Sequence, residues 1–159
     1  MRRIFSVLVE NRSGVLSKVA GLFARRSFNI DSLAVGETDD AAVSLMTILS
    51  SGTEQTLEQI EKQLNKKLDV IKIKTFEEQE AINRELLLVK VKYNKTNRKD
   101  IMETCQAMKA EIVDMSKYHI MIQICDTPER TEHFVKLLSG ISIVELARTG
   151  TLALSKCEM

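Results

Sequence analysis

Few side chains in this 159-residue chain are of the kind that do chemistry, and those few are scattered. His119 and His133 fall in different elements, and each reads as a surface or half-buried residue before a catalytic base. No H-x-x-x-H, H-E-x-x-H or Cys/His cluster occurs, so no metal site is expected. Cys105, Cys125 and Cys157 are odd in number and widely spaced, without a C-x-x-C pair, which predicts reduced thiols in a cytoplasmic chain. No glycine-rich phosphate loop appears, and Asp39-Asp40 and the acidic run Glu77, Glu78 and Glu80 read as solvated turn and linker. No catalytic residues are assigned, and the chain is expected to hold no cofactor.

One stretch stands apart. In "VENRSGVLSKVAGLFARRSFNI", an extended apolar run breaks at Asn11-Arg12-Ser13-Gly14 and resumes as an amphipathic helix. Glycine at the start of a helix is unfavourable by roughly 0.5–1 kcal/mol relative to alanine, so Gly14 asks for a reason. The first N–H groups of such a helix lack intrahelical acceptors and sit at the positive end of its dipole, which suits a carboxylate. Gly14, without a Cβ, would let that group approach the backbone. Asn11 and Asn29 offer donors and acceptors for a neighbouring ammonium or carboxylate, and Asn29, opening the next strand, is expected close to the same helix. Together they suggest a small amino acid as ligand. Equally, Ser13 caps the helix, Gly14 fits the turn and both asparagines satisfy local backbone; the residues alone allow either reading.

The elements that position these residues follow from periodicity. Residues 3–10 alternate as a strand, with Phe5, Val7 and Val9 on one face and Ile4, Ser6 and Leu8 on the other. Val15, Leu16, Val19, Leu22 and Phe23 recur at helical spacing through 14–26. Strands are expected at 30–36 and 42–50. A helix over about 54–67 follows, introduced by the capping-box pattern Ser51-Gly52-Thr53-Glu54 with the stripe Leu57, Ile60, Leu64 and Leu68, and "DVIKIKTF" closes the unit. The same order returns after a polar segment. "LLLVKVKY" is a strand, and residues 98–109 form a helix capped by Asn97 with Ile101, Met102, Cys105 and Met108 inward. A hairpin comes next. Thr127-Pro128 then opens a helix with Phe134, Leu137 and Leu138 inward, Gly140 stops it, and "ISIVELA" is the final strand. Two tandem ferredoxin-like βαββαβ domains of the α+β class are predicted: 1–76, a linker at 77–85, and 86–159. Ala34, Met46 and Ile48 are expected to join Ile4 and Leu8 on the face without helices, an apolar area that predicts a homodimer.

Composition narrows the function classes. Lys and Arg number 23 against 22 Asp and Glu, giving a net charge of +1 with no basic stripe, which argues against nucleic acid. No run approaches a membrane span, and the start lacks a signal-peptide core.

"RRIFSVLVENRSGVLSKVAGLFARRSFNIDSLAVGETD" resembles the amino-terminal ACT domain of the regulatory (small) subunits of acetolactate synthase, and the likeness continues through "LEQIEKQLNKKLDVIKI", "RELLLVKV" and "IVELARTGTLALS". Ser27-Phe28 stands where that family usually has Gly-Tyr, and Leu45 replaces a commonly basic position. The resemblance implies an ACT domain followed by an ACT-like domain. It implies a non-catalytic protein that raises the activity of a large subunit and confers feedback inhibition, typically by valine, in branched-chain amino-acid synthesis. Thiamine diphosphate, Mg²⁺ and FAD would belong to the large subunit. Valine would lie at a subunit interface, its carboxylate on the N–H groups around Gly14, Val15 and Leu16. Asn11 and Asn29 would hold its polar ends, and Ile30 with Leu16 would shape a small apolar pocket. Two rivals remain: a free-standing amino-acid-sensing ACT protein acting on another enzyme or a transcription factor, and a catalytic ferredoxin-like enzyme.

Overall fold

Residues 2–10 must bury both faces, and this sets the architecture of the first half. A computed structural model of the chain describes residues 1–77 and 79–157; Glu78 of the expected linker and the last two residues of the expected 86–159 domain lie outside them. The first half runs β1 (Arg2–Glu10), α1 (Val15–Arg25), β2 (Ser32–Glu37), β3 (Val43–Ser51), α2 (Glu54–Leu64) and β4 (Val70–Phe76). The second runs β5 (Ala81–Lys92), α3 (Arg98–Met108), β6 (Glu111–Met115), β7 (His119–Asp126), α4 (Pro128–Leu137) and β8 (Ile143–Arg148), followed by β9 (Leu152–Ser155). The sheets order as β2-β3-β1-β4 and β6-β7-β5-β8, all pairs antiparallel. Each is a βαββαβ unit of ferredoxin-like, ACT-type topology. The repeat extends to an irregularity: the register slips between Leu8 and Val9 in β1–β4 and between Lys90 and Val91 in β5–β8.

In the first unit, Phe5, Val7 and Val9 pack with Met46 and Ile48 against Val15, Val19, Leu22 and Phe23 of α1 and Leu57, Ile60 and Leu64 of α2. Fully burying one such side chain stabilises by about 1.5–3 kcal/mol, so this face fixes the unit. Met46 and Ile48 therefore line the helical face, contrary to the expectation that they join Ile4 on the other. They stand directly opposite Val7 and Phe5, and cross-strand partners share a face. The other face carries Ile4, Ser6 and Leu8 with Leu49, Thr47, Leu45 and Ala34. It is covered at one end rather than open. Ile4 and Leu49 cluster with Phe76, Ala81 and Ala153, and Thr151 N donates to Ser32 Oγ at 2.8 Å.

The chain accordingly divides into a unit of Met1–Asn83 together with the residues from Thr151 onward, and a unit of Arg84–Gly150. β5 starts at Ala81, inside the segment 77–85 expected as linker, and β9, which pairs with β5, follows the strand expected to be last. In the second unit Leu87, Val89, Val91, Ile120, Ile122 and Ile124 pack on Ile101, Cys105, Met108, Phe134 and Leu138.

Helix ends account for most differences from the periodicity. α2 stops at Leu64, so Leu68 lies beyond the stripe and is 99% exposed. Its cap is Thr53, whose side chain accepts from Thr56 N at 3.2 Å, while Glu54 sits in the first turn and pairs with Arg3. Thr127 caps α4 ahead of Pro128 as expected, whereas Leu137 faces out and Leu138 takes the buried position. No helix among the described residues is long and apolar enough to cross a membrane.

The end of α1 explains one unusual residue. Phe28 N donates to Phe23 O at 3.0 Å and Ser27 N to Ala24 O at 3.2 Å, the paired bonds of a Schellman turn. Phe28 closes edge-on against Phe23, centroids 6.2 Å apart. Ser27 occupies the left-handed position with φ 54°, where glycine is normally favoured. The glycine that the resemblance implies at this position would meet the same geometry without strain. Replacing Ser27 by Gly is expected to raise the unfolding free energy by roughly 0.5–1 kcal/mol, read by urea denaturation followed by circular dichroism.

Candidate functional site

Strand β1 ends at Glu10, and α1 begins at Val15 without a side-chain cap. Ser13 is not the cap; Gly14 is, with φ 86° and ψ −9°. This left-handed turn is what requires glycine: a Cβ there would meet nothing within 4 Å, so conformation rather than crowding excludes other residues. The corner is exposed at Asn11–Gly14, with Val15 buried and Leu16 45% exposed. Val15 N spends its hydrogen on Arg12 O at 3.3 Å, while Gly14 O accepts from Lys18 N at 3.0 Å. The N–H of Leu16 follows in the first turn, where no intrahelical acceptor exists. The corner therefore presents backbone donors, at the positive end of an 11-residue helix, to whatever approaches from solvent.

Asn11 is held from three sides. Its backbone N donates to Ala42 O at 2.7 Å, and Nδ2 donates to Glu37 Oε1 at 3.0 Å and to Ala41 O at 2.9 Å. Both amide protons are thereby consumed by acceptors, which fixes the orientation of the amide and leaves Oδ1 as the polar atom on offer. An acceptor beside backbone donors suits a ligand carrying a cation and an anion on neighbouring atoms.

Asn29 lies elsewhere in the chain. Its carbonyl accepts from Ser50 Oγ at 2.5 Å, and Nδ2 donates to Asp31, whose other oxygen is bonded by Ser51. Ser50 stands opposite Arg3 at the start of β1, whereas Asn11 follows the end of that strand. Eight residue steps of strand separate Arg3 from Asn11, roughly 26 Å at the rise of an extended chain. Helix α1 runs between them, so Asn29 and the half-buried Ile30 flank its C-terminal end while Gly14 and Leu16 flank its N-terminal end. Asn29 is thus close to α1, as the sequence led one to expect, but at the end opposite Gly14. One copy of the chain brings together Asn11, Gly14, Val15 and Leu16, and separately Asn29 and Ile30.

Periodicity gave no sign of the charged groups behind the corner. Asp69, in the connection from α2 to β4, accepts from Lys18 Nζ at 2.8 Å and from Arg12 Nη2 at 3.0 Å, and Arg12 also pairs with Glu10. The hydrogen bond from Lys18, with both cations nearby, outweighs desolvation and holds the Asp69 carboxyl below the usual carboxylate range. These partners lie 51 and 57 residues away in sequence, beyond any local pattern.

The matching loop of the second unit closes on itself. Asn94 Oδ1 accepts from Thr96 N at 2.8 Å and Asn97 N at 3.0 Å, and Asn97 Oδ1 accepts from Asn94 N at 2.8 Å, without capping α3 by its side chain. The start of α3 has no left-handed glycine. Among the described residues no group of three or more His, Cys, Asp or Glu could hold a metal ion.

Replacing Gly14 by Ala is expected to lower the unfolding free energy by about 1 kcal/mol, and Gly14→Asn by less, since asparagine tolerates the left-handed region. Urea midpoints of the three proteins check this.

Comparisons with known proteins agree along the chain. Residues 5–72 match the family described as the AHAS small subunit-like ACT domain, and residues 84–157 match the small subunit of acetolactate synthase. The acetolactate synthase small subunit of Haemophilus influenzae is 43% identical, covering 99% of this chain and 98% of its own length. The probable acetolactate synthase small subunit of Methanothermobacter thermautotrophicus is 42% identical, with 96% and 92% covered. The crystal structure of the acetolactate synthase small subunit from Thermotoga maritima superposes with a TM-score of 0.92 at 34% identity, covering 100% of this chain and 99% of that one.

Proposed function

The chain belongs to the family of acetolactate synthase small subunits, and we propose that it is the non-catalytic regulatory subunit of that enzyme, raising the activity of a catalytic large subunit and making it sensitive to valine. The reacting groups, with thiamine diphosphate, Mg²⁺ and FAD, would be the large subunit's. The proposed location is the cytoplasm.

The observation that carries the effector reading is the corner at Gly14. Backbone donors at the start of α1 suit the carboxylate of an α-amino acid, and Asn11 Oδ1, its amide protons already engaged, suits the ammonium. Leu16 offers exposed apolar surface for a small branched side chain.

The distance between Asn11 and Asn29 favours a site shared by two copies. β2 is an edge strand of its sheet, with which no further strand pairs among the described residues, and its Val35 is exposed. β2 begins just after Asn29–Asp31 and ends at Glu37, the residue that holds Asn11. Antiparallel pairing of β2 with its copy about a two-fold axis would set Asn29 and Ile30 of each chain beside Asn11 and Leu16 of the other. Two equivalent sites would result, each completed by dimerisation. Valine would then act on packing at a subunit interface, where discrete alternative arrangements exist, and a coupling of about 1–3 kcal/mol is enough for strong feedback.

The primary test is acetolactate formation by the cognate large subunit, with and without this chain and with and without valine. Stimulation by the chain and inhibition by valine only in its presence are expected; a valine-insensitive complex would remove the effector reading. Complementation tests the geometry. Asn11→Ala and Asn29→Ala homodimers should each need far more valine for inhibition. Co-refolded mixtures should regain sensitivity, because each mixed dimer contains one site with both asparagines. A site built within one chain predicts no recovery on mixing.

A further inference from the structure

Asp69 has a place that its apparent role as a surface ion-pair partner does not explain. It is 8% exposed, and it meets the β1–α1 corner at three points. Its backbone carbonyl accepts from Glu10 N at 3.0 Å, at the last residue of β1. One carboxylate oxygen takes Arg12 and the other takes Lys18. Arg12 precedes Gly14 by two residues and Lys18 follows it by four, so one carboxylate holds the loop before the corner and the first turn of the helix after it. Glycine is the residue least able to hold a backbone angle by itself. At this corner the φ of 86° has no side-chain cap to defend it, and the tie through Asp69 spans both sides of the hinge. The same carboxylate engages the two cations flanking the corner, Arg12 and Lys18.

We propose that Asp69 is the positioning residue of the effector corner, holding Gly14 and the first N–H groups of α1 in receptive geometry through Arg12 and Lys18. This rests on the reading of the corner as an amino-acid site, yet it also makes a claim about the corner that needs no ligand. Asp69 touches no ligand; it acts by preorganisation, which removes the ordering cost from binding.

The test uses the full-length chain with Asp69→Asn, which keeps the volume and the backbone carbonyl but lacks the charge. Hydrogen exchange is followed at residues 11–18, and valine affinity by calorimetry. Amides of the corner should exchange faster in the variant while β1 and β3 keep their protection. Valine should bind about tenfold more weakly, the scale of one lost charge-assisted contact. In a background carrying Arg12→Leu and Lys18→Met, Asp69→Asn should change affinity no further, because its route of action is gone. Asp69→Glu, which restores the carboxylate, should recover part of the loss. Lys18→Met alone removes one arm, and should give a smaller effect if Asp69→Asn proves too unstable to study. Unchanged exchange at the corner overturns the proposal, as does unchanged or tighter valine binding, the result expected if Asp69 merely neutralises two cations. If the parent chain binds no valine, the effector reading fails and exchange at the corner alone decides the role of Asp69.

Discussion

A four-stranded sheet with both helices on one side leaves its other side wet, and the sequence of β1 does not tolerate that. Ile4, Phe5, Ser6 and Val7 are all buried, although only alternate residues can reach the helices. The missing cover comes from elements outside the βαββαβ pattern: the start of β5 and the strand β9 bring Ala81 and Ala153 onto Ile4 and Leu49. Burial at this face is modest in area, yet it decides where the chain must return after Gly150. Among the described residues no strand pairs with the outer edge of β2.

The second constraint is local. A strand that runs straight into a helix needs a sharp corner, and this chain makes it with a left-handed glycine in the first unit and a self-bonded asparagine loop in the second. Identical topology therefore yields two different helix entrances. One leaves backbone donors facing solvent; the other uses its polar groups on itself. The two halves share the fold and differ at the corner.

Much of this is legible in the sequence. The doubled element order, the strand alternation, the Thr127-Pro128 helix start and the singular character of Gly14 all rest on contacts between neighbours in sequence. What escaped depends on pairing. The face taken by Met46 and Ile48 follows from the register of β3 on β1, which alternation within either strand leaves open. Leu68 keeps a helical spacing past the last turn of α2, and periodicity does not say where a helix stops. Asn11 and Asn29 both look adjacent to α1, but at opposite ends, a distinction that only the direction of the helix makes. Asp69 joins the corner across more than fifty residues and has no local signature.

The return of β9 also bears on how the chain is made. Ile4 leaves the ribosome early and Ala153 among the last residues of this chain, yet they share one cluster. All of Arg84–Gly150, a unit with its own core, is synthesised between them. Domains fold largely as they emerge. The inserted unit can therefore finish before the one that began first, leaving Ile4 and Leu49 covered only by Phe76 and Ala81 for the time it takes to translate the second half. Until Thr151 and the residues after it emerge, that cluster lacks Ala153 and the start of β5 lacks its pairing with β9.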